Sequence, residues 1–146
     1  MNAMDQSLLT LLLRGFYWFD EALQSHMAAL GWEKLPRSQS VSLVNIELGV
    51  RRSSELARNL GVSRQAMSQI VQELQAKGFI TLSPDPDDGR AQIIGPHERA
   101  RRNHDDAASI MDAMEAELAR RLGADQVAAL RRVLSADWGE VPAAKE

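Results

Sequence analysis

Residues 53–96 constrain the fold more than any other stretch of the chain. Ser53-Ser54-Glu55-Leu56-Ala57-Arg58-Asn59-Leu60 reads as a short helix. Gly61-Val62-Ser63 reads as a tight turn ending in a helix-capping serine, and Arg64 to Lys77 as a second helix stopped by Gly78. Leu56, Ala57 and Leu60 fall on one face of the first helix, and Ala66, Met67, Ile70, Val71 and Leu74 on one face of the second. Two such faces, buried across a short glycine-containing turn, make a helix-turn-helix, whose second helix fits a DNA major groove. A hairpin pattern follows: Phe79-Ile80-Thr81-Leu82 as a strand, Pro84-Asp85-Pro86-Asp87-Asp88-Gly89 as a rigid polar tip, and Ala91 to Ile94 as the returning strand, broken by Gly95-Pro96.

Helices flank this centre. Residues 4–31 read as one long amphipathic helix, with Leu8, Leu12, Phe16, Phe19, Leu23, Met27 and Leu30 in a single stripe. Ser40 is placed to cap a helix running through Leu48, with Val41, Val44 and Leu48 sharing a face. His97 to Leu122 carries a stripe of Ala100, Ala107, Met111, Met114, Leu118 and Leu122, and Asp125 to Leu134 closes the helical set with Val127, Leu130 and Leu134 facing inward. A helix of roughly 27 residues is about 40 Å long, more than a small core can cover. A second copy of the chain is the economical cover for its stripe, so a homodimer is expected. The fold class is mainly α (α+β), a winged helix-turn-helix core over residues 37–96 with a helical dimerisation region over 1–36 and 97–146.

Composition narrows the class. The 146 residues are 45% hydrophobic and 25% charged, as in a soluble globular protein. With no cysteine in the sequence, disulfides and thiolate metal sites are excluded, and a cytoplasmic setting fits. Leu8 to Leu13 is too short an apolar run to span a bilayer, and no small-residue cleavage site follows it. The net charge of −3 divides into +3 over residues 51–103 and −6 over the remainder. Nucleic-acid recognition needs a local positive face, not a basic average. Arg outnumbers Lys by 14 to 3, and Arg is the better bidentate partner for phosphate and guanine.

The polar residues of the motif carry the chemistry. Ser63, Arg64, Gln65, Ser68, Gln69 and Gln72 lie outward on or just before the second helix. Gln can bond adenine at two points, Ser suits either kind of base edge, and Arg64 suits guanine or a phosphate. Ser53 and Ser54 open the first helix, where exposed amides and hydroxyls suit a phosphate oxygen and one of the two serines serves as cap. Three aspartates at the hairpin tip would repel a duplex unless one pairs with an arginine. Arg51 and Arg52 are candidates for backbone contact; Arg99, Arg101 and Arg102 would either touch phosphate or pair with Asp105 and Asp106. Phe16, Tyr17, Trp18 and Phe19 hold four of the seven aromatics. They would fill a core or protomer seam, or line a pocket for a small aromatic effector. His26, His97 and His104 lack the spacing of a metal site. No paired nucleophile and base and no phosphate-binding glycine loop is present, so no enzyme and no cofactor is expected.

The chain resembles the MarR family of winged helix-turn-helix regulators over nearly its whole length. The resemblance rests on Ser54-Glu55-Leu56-Ala57, Leu60-Gly61-Val62-Ser63, Met67-Ser68, Ile70-Val71, Leu74, Lys77-Gly78-Phe79-Ile80 and the tip Asp85-Pro86-Asp87-Asp88-Gly89-Arg90-Ala91, of which Asp88 and Arg90 are the most specific. It implies a triangular dimer paired through its terminal helices. Recognition helices would enter major grooves, and wings would reach flanking minor grooves with Asp88 holding Arg90. An effector pocket would lie between the dimer and DNA-binding parts. The chain departs from the pattern where Thr81-Leu82-Ser83 carries no basic residue and where Gln69 stands in place of a frequent Arg or Lys. The expected function is a sequence-specific double-stranded DNA-binding regulator, a ligand-responsive repressor on a pseudo-palindromic operator, with no membrane association. The alternative is a winged-helix adaptor that binds proteins without reading DNA.

Overall fold

The computed structural model describes residues 7–144. In chain order the elements are α1 (Leu8–Ala29), α2 (Arg37–Glu47), α3 (Ser53–Leu60), α4 (Arg64–Ala76), β1 (Ile80–Pro84), β2 (Gln92–Pro96), α5 (Glu98–Leu122) and α6 (Ala124–Ser135). The chain divides between Ile110 and Met111 into two compact units, a division that falls within α5. No helix among the described residues is long and apolar enough to cross a membrane.

The first unit is built on a core of Leu35, Ile46, Leu56, Ala57, Met67, Val71, Leu74, Phe79, Ile80, Ile94 and Ala100. Burying each large apolar side chain contributes about 1.5–3 kcal/mol. The turn between α3 and α4 is set by Gly61, whose φ of 67° and ψ of 30° are left-handed. Ser63 then caps α4, its Oγ accepting the Ala66 amide at 3.0 Å. Met67, Val71 and Leu74 form the buried line of α4, as expected, with Ile70 half-buried. Ala66 faces solvent, against its expected inward place, because a buried line at positions 67, 71 and 74 is too narrow to include its first-turn neighbour. Gly78, again left-handed with φ 76°, ends the helix. β1 and β2 then pair antiparallel from Ile80 opposite Pro96 to Pro84 opposite Gln92.

Two helices begin elsewhere than expected. α1 starts at Leu8, with Ser7 Oγ accepting the Thr10 amide; the expected start at residue 4 lies outside the described residues. α2 starts at Arg37, behind Pro36, not at Ser40. Proline suits a helix start because its fixed φ is pre-set and its missing N–H is not needed there. Ser40 therefore sits inside the helix, its hydroxyl donating to the Arg37 carbonyl. The buried side of α2 is Gln39, Ser42 and Ile46, while Val44 and Leu48 are exposed, the reverse of the expected apolar face.

Polar and aromatic contacts hold the part of α5 that belongs to this unit, before Met111. The Arg99 guanidinium lies 4.7 Å from the Phe79 ring centre and 5.5 Å from that of Trp32. It donates to the Lys77 carbonyl and, at 3.1 Å, to Glu33. Trp32 Nε1 donates to Asp106 at 2.7 Å. In the second unit, Glu117 accepts from Arg120 and Arg121, and Arg131 pairs with Glu115. The hydrogen bonds from Arg120 and then Arg121 draw the Glu117 carboxyl down to about 2. Val127 is half-buried, but Leu130 and Leu134 are exposed rather than inward.

The wing is pinned by Asp85, which is 2% exposed. Its Oδ1 accepts the Asp87 amide at 2.9 Å and its Oδ2 accepts the Arg52 guanidinium at 2.6 Å. The Asp87 amide above all, with Arg52 adding to it, holds the carboxyl below the usual aspartate range against the opposing effect of burial, which is second in size to that of the Asp87 amide.

Two outcomes follow from this fold. A Cβ on Gly61 would meet nothing within 4 Å, so the cost of Gly61→Val is conformational, about 1–2 kcal/mol. Gly61→Asn should cost less, because Asn tolerates the left-handed region; equal urea midpoints for Gly, Asn and Val would contradict the turn. A depressed aspartate stabilises the fold above its unfolded pKa and loses that contribution as pH falls through its folded value. The wing should therefore stay intact down to about pH 4 and loosen below it. The Asp87 amide resonance should report a midpoint below that of a free aspartate, and Arg52→Ala should raise it; a midpoint unmoved by that change would refute the pin.

Candidate nucleic-acid interface

A groove of about 640 Å³ opens between α3, α4 and the wing. Its walls include Arg52, Ser53 and Ser54 from the start of α3, Ser68 and Gln72 from α4, and Arg90 and Gln92 from the wing. Six of the residues singled out from the sequence thus meet in one place: Arg52, Ser53, Ser54, Ser68, Gln72 and Arg90. Arg64, Gln65 and Gln69 stand exposed on the same helix. Ser63 is exposed at its cap. The exposed face of α4 is polar except for Ala66 and Ala76, and the buried line of Met67, Val71 and Leu74 lies on the other side. This is the side-chain set that base edges require: amides, a hydroxyl and a guanidinium.

The start of α3 differs from expectation. Arg52 occupies the cap position, with no side-chain hydrogen bond capping it, so neither Ser53 nor Ser54 is the cap. Arg52 instead reaches Asp85 across the groove. The wing tip differs as well. Among the described residues, the tip aspartate that pairs with an arginine side chain is Asp85, not Asp88. Asp88 Oδ1 accepts the Arg90 backbone amide at 3.0 Å, and its carbonyl accepts the Ala91 amide. It shapes the turn from which the exposed Arg90 side chain projects.

Several basic candidates are engaged internally. Arg51 Nη1 donates to the carbonyls of Ile46 and Val50 at 2.5 and 3.2 Å, closing the end of α2. Arg99 is held by the contacts described above, and Asp106 is taken by Trp32. Arg101 and Arg102 remain exposed. Gln92 was missed in the sequence. Its signal was the strand period, which puts it on the same face of β2 as Ile94, just beyond the buried stretch.

The aromatic run separates into two pairs. Trp18 and Phe19 are half-buried and meet edge to face at 4.9 Å. Phe16 and Tyr17 are exposed, with the Arg37 guanidinium 4.5 Å from the Tyr17 ring centre and bonded to Asp20. None of the four lines the groove beside α4. Among the described residues no group of three His, Asp or Glu side chains is placed to hold a metal.

Comparison with known proteins bears on this geometry. Residues 35–91 match the model of the MarR family. No curated protein matches the chain. Wild-type MarR from E. coli in its apo form is similar with a TM-score of 0.71 and 22% identity, over 88% of this chain and 94% of that one. A MarR-family transcriptional regulator from Rhodococcus sp. RHA1 is similar with a TM-score of 0.62 and 25% identity, over 88% and 94%. A mutant MepR from S. aureus, solved bound to an oligodeoxyribonucleotide, has a TM-score of 0.60 and 18% identity, over 89% and 95%. From Leu35 to Ala91 the chain carries the sequence pattern of the MarR family, and its fold is the winged helix of the MarR-family transcriptional regulators.

Proposed function

We propose that the protein is a sequence-specific double-stranded DNA-binding regulator, working as a homodimer on a pseudo-palindromic operator and acting as a ligand-responsive repressor. The observation that carries this reading is the exposed polar face of α4. Gln65, Ser68, Gln69 and Gln72 stand beside a groove whose far wall is the wing with Arg90. A helix of this kind fits the major groove, where Gln pairs with adenine and Arg with guanine. Arg90 at the wing would then meet the minor groove, where negative potential concentrates. Ser53 and Ser54 at the head of α3 would take a phosphate. The oligonucleotide bound by the MepR neighbour supports the same use of the fold here.

The homodimer is supported by uncovered apolar surface. In the first unit Leu8, Leu9, Leu11, Leu13, Phe16 and Tyr17 of α1 are all exposed. In the second, Leu122, Leu130, Val133, Leu134 and Trp138 are. Apolar surface on this scale marks an interaction site. Pairing through residues 1–36 and 97–146 would leave 37–96 to bring two α4 helices to half-sites one helical turn apart. Phe16 and Tyr17 belong first to that seam. The small aromatic effector is a proposal attached to the run Phe16 to Phe19. Such a regulator works beside its DNA, in the cytoplasm.

Gln65→Ala should weaken binding to the selected operator by about 1–3 kcal/mol and relax preference at one base position. Arg90→Ala should weaken all duplexes alike and reduce the dependence of binding on salt by about one counterion. Gel shifts of both variants on operator and random duplex at several salt concentrations separate these outcomes. Equal losses for Gln65→Ala on the two duplexes would contradict base reading. Sedimentation at micromolar concentration should give a dimer; a stable monomer would overturn the pairing.

A further inference from the structure

One polar chain in the first unit links a fully buried side chain to the exposed face of α4. Lys77 Nζ donates to Gln39 Oε1 at 2.8 Å. Gln39 Nε2 donates to Glu73 Oε2 at 2.5 Å, and Gln69 Nε2 donates to Glu73 Oε1 at 3.1 Å. Gln39 is 1% exposed, whereas Gln69 is exposed. The direction of every bond is fixed by the ions. An ammonium only donates, so the Gln39 carbonyl oxygen must face Lys77. An ionised carboxylate only accepts, so the amide nitrogens of Gln39 and Gln69 must both face Glu73. Turning over the Gln39 amide would set donor against donor at Lys77, and turning over either amide would set acceptor against acceptor at Glu73.

The geometry points to Glu73 and Gln39 as positioning residues that set the base preference of Gln69, an inference that rests on the DNA reading above. With one amide hydrogen committed to Glu73, Gln69 keeps its Oε1 and its second amide hydrogen, the pair that a bidentate contact to adenine N6 and N7 uses. Released from Glu73, the amide can turn over and offer N–H where it offered C=O, which suits the acceptor edge of guanine or thymine O4. Glu73 is held in turn by Gln39, whose place in α2 is fixed by burial. The selectivity of one exposed glutamine thus depends on a residue that no duplex could touch.

The test selects wild-type protein and three variants, Gln69→Ala, Glu73→Leu and Gln39→Met, on a randomised duplex pool, with thermal melts to identify the folded ones. Gln69→Ala should flatten preference at one position in each half-site. Glu73→Leu and Gln39→Met should broaden preference at that same position, from about tenfold for adenine to near parity with guanine or thymine, and leave the other positions sharp. Gln39→Met keeps the charge of the protein, so its effect is free of the uniform tightening expected when Glu73→Leu removes a carboxylate near phosphates. If Gln39→Met fails to fold, Glu73→Leu decides through the position of the change, since lost charge acts on all positions alike. Sharp preference retained by the folded variants would overturn the inference and leave the DNA reading standing. A change at the Gln69 position in Gln69→Ala alone would do the same. Wild-type protein that selects no sequence would overturn both.

Discussion

The Phe79 ring is where the helical and stranded parts of the first unit are joined. It is fully buried, one residue after the left-handed Gly78, and its amide donates back to the Leu74 carbonyl at 3.0 Å. Its own carbonyl accepts the His97 amide at 3.2 Å, which ties the start of β1 to the junction between β2 and α5. Trp32 packs 6.1 Å from it, and Arg99 covers it. A cation over two rings, half-withdrawn from water, contributes about 1 kcal/mol; the geometry matters more than that sum. Phe79 lies where the chain passes from α4 into the wing, so its packing is shared by the two elements that wall the groove.

Arg99 shows why a basic residue at a helix start need not serve a phosphate. Positive charge in a first helical turn opposes the helix dipole, and from sequence alone that placement suggested an outside anion or a local acid. The partners are instead the Lys77 carbonyl, Glu33 and two rings, distant in sequence and brought near only by the fold. The wing tip has the same character. That one of its aspartates pairs with an arginine followed from repulsion among three carboxylates. Which pair forms depends on the register of β1 with β2, which places Asp85 within reach of Arg52, 33 residues earlier.

The helix-turn-helix and hairpin were legible because their signals are local: a left-handed glycine, a capping serine, apolar residues at 67, 71 and 74, and a tip of prolines and aspartates. Helix α2 was not. A search for apolar periodicity favours Val41, Val44 and Leu48, yet the buried residues are Gln39, Ser42 and Ile46. A glutamine is tolerated inside only when its amide is matched, and its partners Glu73 and Lys77 belong to another helix. Ser42 satisfies itself on the Ser38 carbonyl at 2.7 Å. Polar burial of this kind leaves no period in the sequence, and so the face was misassigned.

The fate of the arginines shapes how the proposed interface would work. Of the basic residues around the motif, Arg51 closes α2, Arg52 pins the wing and Arg99 clamps α5. Each has an internal partner, whereas Arg58, Arg64, Arg90, Arg101 and Arg102 are exposed, and of these Arg64 lies on α4 and Arg90 on the wing. Phosphate neutralisation supplies affinity without sequence information, whereas amide contacts to base edges supply the sequence information. A DNA-reading surface that engages three arginines internally and presents amides outward would draw less on general attraction to phosphates and more on matched base edges. What general attraction remains would be local, since residues 51–103 carry +3 within a chain of net charge −3.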